Sequence, residues 1–157
     1  MVESTNRRTV HYNSLDEFLA DAERLASQPT QTVGNWSFAE ILWHLTQTIN
    51  YSFDGFPTQA PWLVRKLVAP FLKNTFLNKK MKSGFKLPKS AGYLIPPSST
   101  DVTQSLSDLK TALNRFDNDQ PTAPHPLLGK LTPEEWRSLH CRHAELHMSF
   151  AIPDNRD

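Results

Sequence analysis

Residues 125–150, HPLLGKLTPEEWRSLHCRHAELHMSF, carry the strongest helix signal in the chain. Thr132 is a preferred N-cap, Pro133 suits the first helical position, and Glu135 stands three residues after the cap, completing a capping box. Four apolar residues and three histidines then recur at helical spacing: Trp136, Leu139, His140, His143, Leu146, His147 and Phe150. On a helical wheel all seven lie within about 120° of one another. The stretch therefore predicts an amphipathic helix with three imidazoles on its apolar face.

The spacing of these histidines leaves two interpretations open. A single buried histidine is usually satisfied by hydrogen bonds in the core, whereas residues at i, i+4 have Cβ atoms about 5–6 Å apart and are able to share one ion. His143 and His147 have this spacing, and His140 with His143 forms a second pair at i, i+3. The wheel alone does not choose between the pairs. The H-E-x-x-H signature of metalloproteases is absent because Ala144 follows the first histidine, and Cys141 points about 160° away from His143.

Length and composition predict one domain in a reducing compartment. The 157 residues suffice for a single core, with a lead-in at 1–13 and a tail at 151–157. The single cysteine is unable to form an intramolecular disulfide. The N-terminus lacks the apolar run of a signal peptide, and no window approaches the roughly 18 apolar residues of a membrane span. We therefore expect a soluble, cytoplasmic protein.

The net charge of +1 hides a basic middle segment. No acidic residue lies between Asp54 and Asp101, whereas the same part of the chain carries these basic residues: Arg65, Lys66, Lys73, Lys79, Lys80, Lys82, Lys86 and Lys89. Such a segment is either an ordinary solvated face or a surface for an anionic ligand, a membrane or nucleic acid.

Two further helices begin with capping-box signals. Ser14 with Glu17 predicts a first helix that ends before Pro29, and Ser37 with Glu40 predicts a second that ends at Gly55. Trp36 precedes the second helix as a hydrophobic staple. His44 lies about 60° beyond the edge of the second helix's apolar stripe, next to Thr48 and Tyr51, and alone it suggests only a boundary position.

The middle of the chain predicts a less regular arrangement. Residues 61–82 read as a third helical segment that Pro70 kinks or breaks, and its apolar face is expected to close the core, although a membrane-surface helix is an alternative. Residues 83–99, rich in Gly and Pro, are predicted to form a long loop. Thr100 opens a fourth helix that ends near Asn118. The predicted class is all-α: a four-helix bundle with an irregular third segment.

With the elements in order, two stretches resemble the DinB-like superfamily of metal-binding four-helix bundles, and within it a branch of uncharacterised function. They are W-S-F-A-E-I-L-W-H-L at 36–45 and the terminal H-P-L-L-G-K-L-T-P-E-E-W…R-H-A-E-L-H-M-S-F. In that superfamily, one histidine of the second helix and an H-x-x-x-H pair of the last helix bind a divalent metal. The matching positions are His44, His143 and His147, which makes His140 a neighbour rather than a ligand.

The resemblance implies a metal-dependent enzyme. Three neutral imidazoles leave a zinc or nickel ion with at least one open position, as in catalytic sites. Superfamily relatives include transferases and isomerases that use low-molecular-weight thiols, so we expect a transferase that activates a small thiol or a hydrolase that activates water. Thr48 and Tyr51 are the predicted substrate contacts, and the sequence identifies no catalytic base.

Two other functions remain open on the sequence. One is a non-enzymatic bundle, metal-binding or metal-free, that acts through a protein partner. The other is a module that uses residues 62–89 to bind an anionic surface, with an association that weakens steeply with salt. Without a zinc finger, helix-turn-helix or phosphate loop, no nucleic-acid partner is expected. A homodimer is compatible with the resemblance, but no surface for it is identified.

Overall fold

The computed structural model describes residues 6–154, so the predicted lead-in (1–13) and tail (151–157) lie partly outside the described residues. The helices are α1 (Leu15–Ala26), α2 (Phe38–Asp54), α3 (Trp62–Asn78), a 3-10 helix (Lys89–Leu94), α4 (Val102–Asn118) and α5 (Pro133–Met148). Strands β1 (Thr30–Thr32) and β2 (Ala151–Pro153) pair antiparallel, with Gln31 opposite Ile152. The predicted all-α class is confirmed. The two strands were not predicted, because three residues are too few to show an alternating pattern.

Helices α1, α2, α4 and α5 form the four-helix bundle, with α2 lying against both α4 and α5. Side chains from all four helices fill its core, and the largest of those almost fully removed from solvent are Phe18, Leu25, Ile41, Leu42, Leu45, Ile49, Leu109 and Met148. Burying a side chain of this size contributes about 1.5–3 kcal/mol, so this core is what holds α2 against α5.

The predicted N-caps are largely correct. Ser37 with Glu40 and Thr132 with Glu135 both form complete capping boxes. Ser14 caps α1, but the capping box predicted there is wrong. The Glu17 carboxylate accepts a hydrogen bond from the Asn13 backbone N–H at 2.8 Å instead of returning to the cap residue. The carboxylate therefore supports the turn that enters the helix.

The third helix packs outside the bundle, against α5. It runs through Pro70 without ending there and stops at Asn78, short of the predicted residue 82. Its inner face, which includes Leu72, Phe76 and Leu77, covers a second apolar cluster formed by Leu128, Leu131, Trp136 and Leu139. The other face stays in solvent, so the expectation that α3 closes the core is correct only for the inner face.

The Gly- and Pro-rich segment is more ordered than the predicted loop of residues 83–99. It contains the 3-10 helix, in which Ala91 and Leu94 are buried. The following helix begins one residue later than predicted, because the Asp101 side chain, rather than that of Thr100, accepts the Gln104 N–H at 2.9 Å. Among the described residues, no helix is long and apolar enough to cross a membrane.

The capping box of α5 should contribute measurably to stability. In a Thr132→Ala variant, the Glu135 N–H loses the acceptor that it has at 3.2 Å, and we expect the free energy of unfolding to fall by about 1 kcal/mol. Urea denaturation followed by circular dichroism measures the change. Thr103→Ala, at an exposed position of α4, serves as the control and should change stability by less than about 0.5 kcal/mol. Equal losses in both variants would contradict a specific capping role.

Candidate metal centre

Three imidazole rings meet where α2 lies against α5. The Nε2 atom of His143 is 3.2 Å from Nε2 of His44 and 3.0 Å from Nε2 of His147. In residues 6–154, these three histidines form the group whose ligand atoms lie close enough together to hold one metal ion. The three atoms all lie within 4.8 Å of one another. The bundle packing therefore brings together the three histidines that the resemblance implied, across about 100 residues of sequence.

The tautomer of His44 is fixed by a backbone carbonyl. Its Nδ1 lies 2.8 Å from the carbonyl oxygen of Leu94, at the end of the 3-10 helix. A carbonyl oxygen only accepts hydrogen bonds, so Nδ1 carries the hydrogen and donates it. The neutral ring then has its lone pair on Nε2, which faces His143.

A hydroxyl group on α2 faces the other ring nitrogen of His143. The Thr48 hydroxyl donates to the carbonyl oxygen of Leu45 at 2.8 Å, which leaves its oxygen as a weak acceptor 3.5 Å from Nδ1 of His143. The tautomer with its hydrogen on Nδ1 makes this contact and carries a lone pair on Nε2. Histidines that bind metals are commonly oriented in this way by a carbonyl or another acceptor on the second ring nitrogen.

With the hydrogen on Nδ1 of both rings, the lone pairs of His44 and His143 face each other. Their Nε2 atoms are then both acceptors at 3.2 Å, and His147 is able to donate one hydrogen, which satisfies only one of them. Nitrogens on a tetrahedral zinc ion with bonds of about 2.0–2.1 Å are separated by about 3.3–3.4 Å, close to the distances seen here. The donor set and its spacing therefore fit a divalent cation.

All three rings are held in the neutral form that a metal ligand requires. Burial lowers the pKa of His44, opposed by the Leu94 carbonyl. Burial, followed by the neighbouring histidines, lowers the pKa of His143 well below its usual range. Burial, His44 and the positive charge of Arg7 lower the pKa of His147 to about 3. His44 is 3 % exposed, whereas His143 and His147 are partly buried.

Two residues not predicted as part of the site border it. Trp36 stacks on His147 with ring centroids 5.4 Å apart and contacts His44 at 4.8 Å. Arg7 donates from Nε to the Ser149 hydroxyl at 3.1 Å and lies over the Phe150 ring. The sequence suggested Trp36 only as a hydrophobic staple. It gave no signal for Arg7, because that residue is far from the histidines in the chain and forms no spacing pattern with them. It gave none for the Leu94 carbonyl, because a backbone oxygen does not show in the residue types.

The two predicted substrate contacts lie at different distances from the centre. The Thr48 hydroxyl contacts His143, as described above. The Tyr51 ring packs against Phe56 and Tyr93, with centroids 5.5 and 5.2 Å away, next to the segment that carries Leu94. Neither contact tests a role in substrate binding, which stays a prediction for both residues.

The third histidine of the α5 stripe has a separate role in the core. His140 is 3 % exposed, stacks on Trp136, and places Nε2 3.1 Å from the Ser52 hydroxyl oxygen. That hydroxyl donates to the Ile49 carbonyl, so it accepts from His140. His140 is thus a satisfied core histidine next to the centre, and Cys141 is buried in the bundle core.

The buried histidines should make the metal-free protein sensitive to acid. Burial lowers the pKa of His140 to about 3, whereas an unfolded histidine titrates near 6.5. The unfolded state therefore binds more protons, and stability falls as the pH drops from about 6.5 towards 3. In His140→Gln, whose amide can still donate to Ser52, the slope of unfolding free energy against pH near pH 5 should decrease by about 1.4 kcal/mol per pH unit.

Urea denaturation of chelator-treated protein at several pH values measures this slope. Thr46→Val, which removes a buried hydroxyl but no titrating group, is the control and should keep the wild-type slope. An unchanged slope in His140→Gln would show that His140 is protonated in the folded protein.

Comparison with known proteins identifies the family but no activity. No curated protein and no solved structure shows significant similarity to the chain. Residues 4–154 match the family described as "Protein of unknown function (DUF1569)", which covers both α2 and α5 and so all three histidines. The chain belongs to this DUF1569 family.

Proposed function

We propose that this protein is a metal-dependent enzyme of the DinB-like type, in which His44, His143 and His147 hold one zinc or nickel ion. The observation that carries the proposal is the convergence of three imidazole nitrogens, with Nε2 of His143 3.2 Å from that of His44 and 3.0 Å from that of His147, and with His44 oriented by the Leu94 carbonyl. When His44 and His143 both carry their hydrogen on Nδ1, two acceptors are in contact, and each unsatisfied acceptor costs about 1–3 kcal/mol. A cation bound between them removes that cost.

The ligand set favours a catalytic ion over a structural one. Structural zinc sites are closed by four protein ligands, whereas here three imidazoles converge and no described carboxylate or thiol joins them. The ion would supply Lewis acidity towards a small thiol or a water molecule. We propose a transferase acting on a low-molecular-weight thiol as the first reaction class and a hydrolase as the second.

Neighbouring residues of the chain would orient the ligands and the substrate. The Leu94 carbonyl and the Thr48 hydroxyl hold the hydrogens of two rings away from the centre, and Trp36 covers His44 and His147. Arg7 is close enough to His147 to lower its pKa, so a positive charge lies beside the centre. This charge favours an anionic substrate, such as a thiol that carries carboxylates.

Metal content and thiol-dependent activity test the proposal together. We expect about one zinc or nickel ion per chain by plasma mass spectrometry, measured on protein purified without a His-tag or nickel resin. The reconstituted protein should consume an electrophile only when a low-molecular-weight thiol is present. His147→Gln should lose the metal and the activity, because it removes one of three ligands.

His140→Gln is the matched control for this substitution, because it changes a histidine of the same helix that bonds Ser52 instead of the centre. It should keep the metal. Turnover of an ester without any thiol would favour the hydrolase. Failure of the wild type to bind metal on reconstitution at neutral pH would overturn the enzyme proposal.

Removing the acceptor behind His143 should weaken metal binding without removing a ligand. In Thr48→Val, Nδ1 of His143 loses its oxygen partner, and we expect the affinity for zinc to fall about 10–100-fold. Competition with a chromophoric chelator measures the affinity. Thr46→Val is the matched control, since the Thr46 hydroxyl bonds only the Leu42 carbonyl, and it should bind zinc as the wild type does. Equal affinity in both variants would show that Thr48 does not position the ring.

A further inference from the structure

The outer face of α3 is apolar, yet it lies in solvent. Leu67 is 60 % exposed and Phe71 is 82 % exposed, with Leu63 and Val64 on the same side of the helix. On a helical wheel these four residues lie within about 100° of one another, opposite the inner face that packs on α5. Four large apolar side chains grouped on an exposed helix face are typical of an interaction surface.

Positive charge surrounds this apolar face. Lys66 lies about 60° from Leu63 on the wheel, with its ammonium 5.6 Å from the ring centroid of Trp62, which is 65 % exposed. In and after α3 the exposed lysines are Lys66, Lys79, Lys80, Lys82, Lys86 and Lys89. None of these six forms a salt bridge with a described residue, whereas Lys73 pairs with Glu135. Their charge is therefore available to a partner.

We propose that α3 and the lysines that follow it dock the protein on an anionic lipid membrane. A helix with an exposed face of Leu, Val and Phe and with lysines nearby is the pattern of helices that lie in the membrane interface. The apolar side chains enter the boundary between headgroups and acyl chains, while the lysines contact the anionic headgroups. None of these residues is a ligand of the candidate centre, although Ser83, between Lys82 and Lys86, accepts a hydrogen bond from Arg7 beside the centre at 2.9 Å.

The charge distribution argues against two other occupants. A second copy of the chain, paired symmetrically through α3, would bring two sets of unpaired lysines together, with no acidic residue between Asp54 and Asp101 to offset them. Nucleic-acid interfaces are polar and dominated by charge, whereas the exposed centre of this face consists of aliphatic and aromatic side chains. An anionic bilayer complements both the apolar centre and the positive surroundings.

Sedimentation with lipid vesicles tests the proposal. The protein should bind vesicles of phosphatidylcholine mixed with phosphatidylglycerol, bind pure phosphatidylcholine weakly, and dissociate as salt is raised. Phe71→Ala should weaken partitioning about tenfold or more, because it removes a large apolar side chain from the bilayer. The double variant Lys79→Glu/Lys80→Glu should lower binding to the anionic vesicles at least about thirtyfold and leave binding to pure phosphatidylcholine unchanged.

Ile95→Ala is the matched control, because Ile95 is an exposed apolar side chain, 57 % exposed, outside α3. It should change partitioning by less than about twofold. All substituted positions are exposed, so circular dichroism should show an unchanged fold.

Three results would overturn the proposal. The first is a wild type that does not bind anionic vesicles at low salt, and the second is equal loss of binding in Phe71→Ala and Ile95→Ala. The third is a dimer in sedimentation velocity that Phe71→Ala converts to a monomer, which would assign this face to a second copy of the chain.

Vesicle binding that persists in His147→Gln would show that docking and the metal centre are separate.

Discussion

The contact between α2 and α5 sets the position of every group in the candidate centre. It places His44 opposite His143, with their Nε2 atoms 3.2 Å apart, although each ring is held by its own partner on the other nitrogen. The same helix pair offers a comparison. His140, one turn earlier on α5, gives its Nε2 hydrogen to Ser52 and leaves no conflict. The arrangement at His44 thus differs from that of an ordinary core histidine, since its Nδ1 donor points away from the cluster and its Nε2 acceptor points into it.

The parts of the chain that hold this centre come from widely separated segments. Trp36 enters before α2, Leu94 comes from the 3-10 helix, and Arg7 from the segment before α1. That first segment is fixed to α5 by the buried Glu145 carboxylate, which accepts from the Tyr12 N–H at 2.8 Å and pairs with Arg142. A neutral, oriented set of imidazoles therefore depends on the complete fold rather than on the α5 motif alone.

The local features of the fold could be predicted from the sequence, while contacts between distant segments could not. The capping boxes at Ser37 and Thr132 are set by residues three apart, so their patterns were sufficient. At Ser14 the same pattern failed because the Glu17 carboxylate reaches the Asn13 N–H instead. Periodicity placed His44 about 60° beyond the edge of its stripe and left His140 and His147 as alternative partners of His143. Only the resemblance to a known superfamily separated them, because helical spacing does not say which face meets which neighbour.

The apolar spacing of α3 likewise predicted that the helix would be buried. It did not show how many faces of the helix the rest of the chain would cover. Its inner face meets α5 around Trp136 and Leu139, whereas His147 lies about 12–16 Å further along that helix, at a rise of about 1.5 Å per residue. The segment after α3 nevertheless reaches the border of the centre, because Arg7 donates to the Ser83 hydroxyl at 2.9 Å and to the Ser149 hydroxyl at 3.1 Å. The chain thus leaves the outer face of α3 uncovered, while Arg7 links the basic segment that follows α3 to the end of α5 that carries the histidines.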